Sequence, residues 1–232
     1  MCCDSQDSEG RNQGGDYYYS DGTWSTERKS GKTVIGIVFS TNNAAASDPQ
    51  LLKDYPNCTN GLVVSVDEYA DQVFGGYYGD YYSNNNRSVR TYLESKGVET
   101  TNTKVNGYAL SWAYAQYRKD YASYDYVAAF DESTGIAATH NRAVTPPADL
   151  ASEWYVPSYY EMQLLYEVYS QINNKMTGNK IMTDGYYMIS TMQLVGKYND
   201  SYAYPFSMNT GTTVSVNDPK TQNCRVRLVL AF

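Results

Sequence analysis

Trp154-Tyr155-Val156-Pro157-Ser158-Tyr159-Tyr160-Glu161-Met162, continued by Leu165, Tyr169 and Ile172 at helical spacing, is the stretch on which the fold turns. Ser158 stands where an N-cap hydroxyl accepts from the first-turn backbone N–H groups, and Glu161, three residues on, completes a capping box. Met162, Leu165, Tyr169 and Ile172 line one helical face, and Gly178 lies just past the expected end. Trp154 is expected to fill the core. Tyr159 and Tyr160 fall outside the apolar stripe and are left for contacts elsewhere.

Beyond this helix the pattern shortens into β-like stretches over residues 186–190, 203–208, 212–216 and 224–232, with turn residues between them. Before it, residues 33–39 and 61–66 are short β-branched runs bounded by turn residues and read as buried strands. Leu110, Ala113 and Tyr117, with Trp112 beside them, predict a second amphipathic helix over residues 106–120. The run 224–232 alternates and then becomes wholly apolar, which reads as a strand inside a sheet. Residues 74–87 and 198–204, rich in Tyr, Asn, Asp and Ser, read as loops. The expected fold class is α+β, with mixed small sheets, two main helices and long loops. Residues 1–15 form a flexible N-terminal tail and residues 16–232 one domain.

Composition narrows the function classes. A chain of 232 residues, 42% hydrophobic, is long enough to bury a core. Its net charge of -7 offers little attraction to a phosphate backbone, so no nucleic-acid partner is expected. No apolar run approaches the roughly 20 residues that span a bilayer. Cys2 and Cys3 directly after Met1, followed by an acidic polar spacer, suggest a lipoprotein in which an initiator Met replaces the signal peptide; two accidental thiols are the alternative. A membrane is therefore met only through an N-terminal lipid anchor. Cys58 and Cys224 either form one disulfide or stay as buried thiols.

The 26 Tyr against 5 Phe and 3 Trp are the compositional anomaly. Each buried Tyr hydroxyl needs a partner, so many of these tyrosines are expected to face water. Tyr with Ser, Asn and Gly is the chemistry of adaptable recognition surfaces. An exposed Tyr-rich sheet, reflecting strand propensity alone, fits equally well.

Residues 15–25, Ile35-Gly36-Ile37-Val38-Phe39 and Gly61-Leu62-Val63-Val64 resemble the opening of a family of exported Bacteroidetes proteins. Trp154-Tyr155-Val156-Pro157-Ser158 with Glu161-Met162, then Tyr187, Ser190-Thr191, Gly211 and the ending from Val226-Arg227 to Phe232, resembles its second half. This is the DUF1566-like group, related to the Fibrobacter major paralogous domain and to the C-terminal domain of legionella collagen-like proteins. The resemblance spans residues 15–232 and implies a C-type-lectin-like fold. The family's Tyr-Trp-Ser-Ser-Thr-Glu run reads here Tyr187-Met188-Ile189-Ser190-Thr191-Met192, departing at three positions. Some members of the fold are variable proteins of diversity-generating retroelements. Residues 198–204 fit the amino-acid alphabet of such randomised codons, while Met188, Met192 and Lys197 do not; drift in a surface loop is the alternative.

Catalytic chemistry finds little footing. The single histidine, His140, nearly excludes a catalytic triad or a histidine-rich zinc site and reads as a solvated loop residue. Gly31-Lys32-Thr33 resembles the end of a phosphate-binding loop, but position 26 is Thr where that loop needs Gly, and a strand follows. The tripeptides of calcium-dependent lectins do not occur. The contexts of Cys58 and Cys224 do not resemble the cysteine pair of formylglycine-generating oxidases, which share the broad fold. The expectation is a non-enzyme with no catalytic residue, metal or cofactor.

The function expected is an exported outer-membrane or cell-surface lipoprotein, an adhesin or receptor-binding domain whose ligand is a protein or glycan on another cell or surface. Tyr159, Tyr160, Tyr186, Tyr198, Asn199, Asp200, Tyr202, Tyr204, Ser207 and Asn209 are its expected contacts, through aromatic stacking and side-chain hydrogen bonds. The alternative is a structural or tip subunit of a bacterial pilus or surface assembly that meets its partner through a strand edge.

Overall fold

The β-branched run at Val34–Ser40 forms β3, the central strand of a five-stranded sheet whose two faces are both covered. The computed structural model describes residues 14–43, 45–75, 89–100, 103–121, 127–176, 182, 184–195, 200–202, 204–215 and 222–232. In chain order the elements are β1 (Tyr17–Tyr19), β2 (Trp24–Ser25), β3, α1 (Pro49–Asp54), β4 (Leu62–Ser65), β5 (Tyr69–Gln72), α2 (Val89–Ser95), α3 (Gly107–Asp120), α4 (Ile136–Ala143) and α5 (Tyr159–Lys175). Then come β6 (Tyr186–Tyr187), β7 (Gln193–Val195), β8 (Asp200–Tyr202), β9 (Phe206–Ser207), β10 (Thr212–Thr213), β11 (Cys224–Val226) and β12 (Val229–Ala231). The fold is mixed α+β.

The first sheet is antiparallel throughout, ordered β12-β4-β3-β1-β2, and Tyr155 bridges Val229 on the outer side of β12. Alternation sends Val63 and Leu230 to one face and Leu62, Val64, Val229 and Ala231 to the other. α3 covers the first face with Ala109, Leu110, Ala113, Tyr114 and Tyr117, and α5 covers the second with Met162, Leu165, Val168 and Ile172. Burial on both faces is why the chain's last residues are wholly apolar. Gly36 is required at its place in β3: a Cβ there would lie 2.2 Å from Val63 Cγ1, and Trp154 packs at the same point.

The capping box stands as the spacing predicts. Ser158 Oγ accepts from the Glu161 N–H at 3.3 Å, and Glu161 Oε2 accepts from the Ser158 N–H at 2.6 Å. α5 ends at Lys175, before Gly178, which lies outside the described residues; Tyr169 sits half-buried at the margin of the stripe. Asp48 caps two helices: its carboxylate accepts from Gln50 and Leu51 in α1 and from Ala109 in the first turn of α3.

The second sheet, β10-β9-β6-β11-β5, is antiparallel except where β11 runs parallel to β6. Its strands are two to four residues long, far shorter than the stretches 186–190, 203–208 and 212–216 suggest. The run 224–232 is two strands in two different sheets. The break falls at Arg227 because its buried guanidinium turns inward, donating from Nη1 to the Ser65 and Val66 carbonyls and from Nε to Glu68 Oε2 at 3.0 Å. Residues 198–204 are not wholly a loop, since β8 pairs with β7. Gly14 and Gly15, expected in the N-terminal tail, pack on the domain: the Gly15 N–H donates to the Val38 carbonyl, and Gly14 lies against Val168.

The expectation that tyrosines face water fails in the core. Tyr18, Tyr19, Tyr114, Tyr117, Tyr155 and Tyr187 are fully buried. Most of their hydroxyls have found partners: Tyr114 donates to the Ser190 carbonyl, Tyr155 to Glu161 Oε1, Tyr187 to Glu68 Oε2, and Tyr19 receives the Lys29 N–H. His140 is likewise no solvated loop residue. It is buried in α4 between Ser65 Oγ (3.2 Å) and the Tyr69 hydroxyl (2.7 Å), which satisfy both ring nitrogens.

Candidate binding surface

The surface marked by the sequence is built where β9 and β10 lie on the first turns of α5. The Tyr159 N–H donates to Thr191 Oγ1 at 2.9 Å, fixing the helix start. Its ring meets Phe206 edge-on, 5.8 Å between centroids, and its hydroxyl accepts from Gln163 Nε2 at 2.8 Å and lies 3.3 Å from Thr212 Oγ1. Two turns on, Tyr166 stacks on Tyr169 at 5.6 Å. Gly211, at φ 69°, admits the Tyr166 ring, since a Cβ there would lie 2.5 Å from Tyr166 Cε1. These half-buried tyrosines therefore act first as packing between helix and sheet.

The expected contacts divide. Tyr160 and Tyr186 are 36% and 38% exposed, Asn209 is exposed, and Tyr159 and Tyr204 are half-buried. Tyr186 stands directly across from Ser207 on β9, so Tyr159, Tyr186, Ser207 and Asn209 do gather around one strand. Ser207 is a correction: it is buried, and its hydroxyl accepts from the Asn209 N–H at 3.2 Å to shape the turn. Asp200 and Tyr202 lie on β8; Tyr198 and Asn199 fall outside the described residues.

Beneath this surface Glu68 joins the two sheets. Its carboxylate takes Arg225 Nη1 at 2.9 Å on one oxygen, and Arg227 Nε and the Tyr187 hydroxyl on the other. Sequence reasoning missed this group, because the partners stand 119 to 159 residues apart. Glu161 is enclosed as well, and burial pushes its carboxyl up to about 7 against the opposing hydrogen bonds from Ser158 and Tyr155. Cys58 and Cys224 are separate buried thiols, pushed up to about 11 and about 12 by desolvation.

A cleft of about 330 Å³ opens between Val34, Ile35, Val66 and Val144, with Asp67 and Thr145 also lining it. The nearby Ser65–His140–Tyr69 chain is closed to solvent at Ser65 and His140. Burial lowers the pKa of the imidazole below its ordinary value, against the opposing charge of Asp67. Tyr69 shares a hydrogen bond with Nδ1 and Ser65 Oγ one with Nε2, and Ser65 Oγ also accepts from the Asp67 N–H. Among the described residues no three His, Cys, Asp or Glu side chains come together to hold a metal ion, and no helix is long and apolar enough to cross a membrane.

This arrangement of sheets has a precedent among solved structures. The fold is similar to that of a fimbrial protein. That protein comes from Bacteroides ovatus ATCC 8483; the two chains are 22% identical and superpose with a TM-score of 0.71 over 95% of this chain. At that identity the likeness is one of fold. This chain spans about half the length of the fimbrial protein, 49% of which is covered. No family model matches the sequence, and no curated protein does.

Proposed function

We propose that this chain is a structural subunit of a fimbria-like bacterial surface assembly, exported and held at the cell surface, and that it acts by contacting other proteins and not by catalysis. The observation that carries this reading is the fold shared with the fimbrial protein over nearly the whole chain. The tyrosine surface supports a subunit over an adhesin: Tyr159 and Tyr166 are committed to holding β9 and β10 on α5, and Ser207 is buried. The acidic net charge supports protein partners over nucleic acid.

The finer readings belong to the same proposal. A C-type-lectin-like class, with membership of the exported Bacteroidetes family, is supported by a sheet that joins the first strands to the last. Lipid anchoring would act through Cys2 and Cys3, outside the described residues. An adhesin role draws on the exposure of Tyr160, Tyr186 and Asn209, for a protein or glycan on another surface, and retroelement diversification would fall on residues 198–204.

The test is to tag the chain in a producing bacterium and shear the surface fibres. The chain is expected in the fibre fraction, and deletion of its gene should shorten or abolish the fibres. Recovery only from the cell interior, with fibres unaltered, would overturn the assembly reading. Intact fibres with host-cell adhesion lost in a Tyr160→Ala/Tyr186→Ala variant would replace it with the adhesin reading.

A further inference from the structure

β2 is an outer strand of the first sheet, and its pairing fixes which backbone groups are spent. The Tyr19 N–H donates to the Thr23 carbonyl, and the register continues through Tyr18↔Trp24 and Tyr17↔Ser25. In an antiparallel ladder hydrogen-bonded and non-bonded pairs alternate, so Thr23 and Ser25 face β1. Trp24 belongs to the non-bonded pair, and its N–H and C=O point outward, away from the sheet. The same alternation holds on the other side of β1, where the Val38 N–H donates to the Asp16 carbonyl.

Among the described residues, other contacts flank this position on the sheet boundary. Tyr155 bridges Val229 beyond β12, and just past β2 Lys175 Nζ occupies the Thr26 carbonyl at 2.8 Å. Proteins ordinarily guard such an edge with a lysine, a proline or a bulge. Here Lys175 takes the Thr26 carbonyl, but among the described residues no hydrogen bond is made to the outward backbone groups of Trp24. Trp24 is 45% exposed, its ring edge-on to Phe232 at 5.0 Å, so it extends the apolar layer of Tyr18 and Phe232 past the last strand. Leu150, 55% exposed, lies against Gly22 in the β1–β2 turn, where a Cβ would come within 2.6 Å of its Cδ1.

We propose that β2 pairs with β2 of a second copy of this chain about a twofold axis through Trp24, joining the two five-stranded sheets. A twofold contact requires a self-complementary patch, and Trp24 offers one outward donor and one outward acceptor, as a hydrogen-bonded antiparallel pair demands. Directly opposed residues share a face, so the two indoles lie side by side, flanked by the two Leu150 side chains. The antiparallel register sets Asp21, neutralised by Lys32 at 2.8 Å within its own copy, opposite Glu27 of the other copy, with Arg28 next to it in sequence. The contact rests on the assembly reading only for its purpose.

Sedimentation velocity of the purified full chain, over a rising concentration series, tests it. The wild type should pass from monomer to dimer, and the Trp24 amide, open to exchange with deuterium in the dilute protein, should become protected in the concentrated one. Trp24→Pro removes the outward N–H without touching the ladder to β1, and Leu150→Glu places a charge on the flank. Each should weaken dimerisation by about tenfold or more. Tyr186→Ser, on the second sheet, should leave it unchanged. A wild type that stays monomeric, or a dimer that survives both variants, overturns the proposal; if Trp24→Pro fails to fold, Leu150→Glu and the Trp24 amide decide. A monomer that still enters surface fibres sinks this contact and leaves the assembly reading standing.

Discussion

The two sheets share strand β-chemistry but are held by different forces. The first is a slab of aliphatic side chains between α3 and α5, closed by Trp154 over Gly36. The second consists of strands too short to stand alone, secured by tyrosine rings, by Glu68 between two arginines and by hydroxyl contacts. Apolar burial is forgiving of chemistry but not of volume. A polar network is forgiving of neither.

The largest effect should come from Trp154→Ala, which removes a fully buried ring and its indole bond to the Val144 carbonyl. Urea denaturation should show a loss of about 4 kcal/mol; a loss under about 1 kcal/mol would mean the aliphatic slab does not depend on its closing residue. Next, Glu68→Ala strands the buried Arg227 and should cost about 3 kcal/mol. Hydrogen exchange should locate that loss in β6 and β11, leaving β3 and β4 protected, and uniform loss of protection would erase the contrast between the sheets.

The acid inside the first region supplies a third test. The Glu161 carboxyl is raised from 4.5 to about 7 in the folded chain, so between those values the folded state binds the proton that the unfolded state has released. Stability should therefore be highest below about 4.5 with respect to this group and fall as pH rises to about 7, by up to about 3 kcal/mol. Glu161→Gln should flatten that slope in unfolding curves recorded across the window; an unchanged slope would assign it to other groups. The smallest effect belongs to Tyr186→Ser on the exposed second sheet, expected within about 0.5 kcal/mol of the wild type by thermal melting.

Legibility in the sequence followed the same division. α5, with its Ser158–Glu161 box, and α3 depend on signals within a few residues, and both stand where the spacing puts them. β3, β4 and β12 show as apolar runs because both their faces are covered. The second sheet was blurred because two-residue strands carry no period, and its register comes from contacts such as Arg227 to Glu68, 159 residues apart. The tyrosines misled for a related reason. A hydroxyl's partner, as with Tyr114 and the Ser190 carbonyl, is a fact of tertiary packing that composition does not contain.

The stretch from β11 to β12 carries a consequence for the order of events in the cell. β11 stands between β6 and β5, and β12 forms an outer strand beside β4, so both sheets wait on residues 224–232. During synthesis β5 has no strand partner in its sheet until this segment has emerged from the ribosome, and Arg227 cannot yet neutralise Glu68. Closure therefore waits on a segment made after every other strand of the two sheets: until it arrives the polypeptide before it remains threadable, the condition under which a chain can still be passed through a narrow channel before it locks.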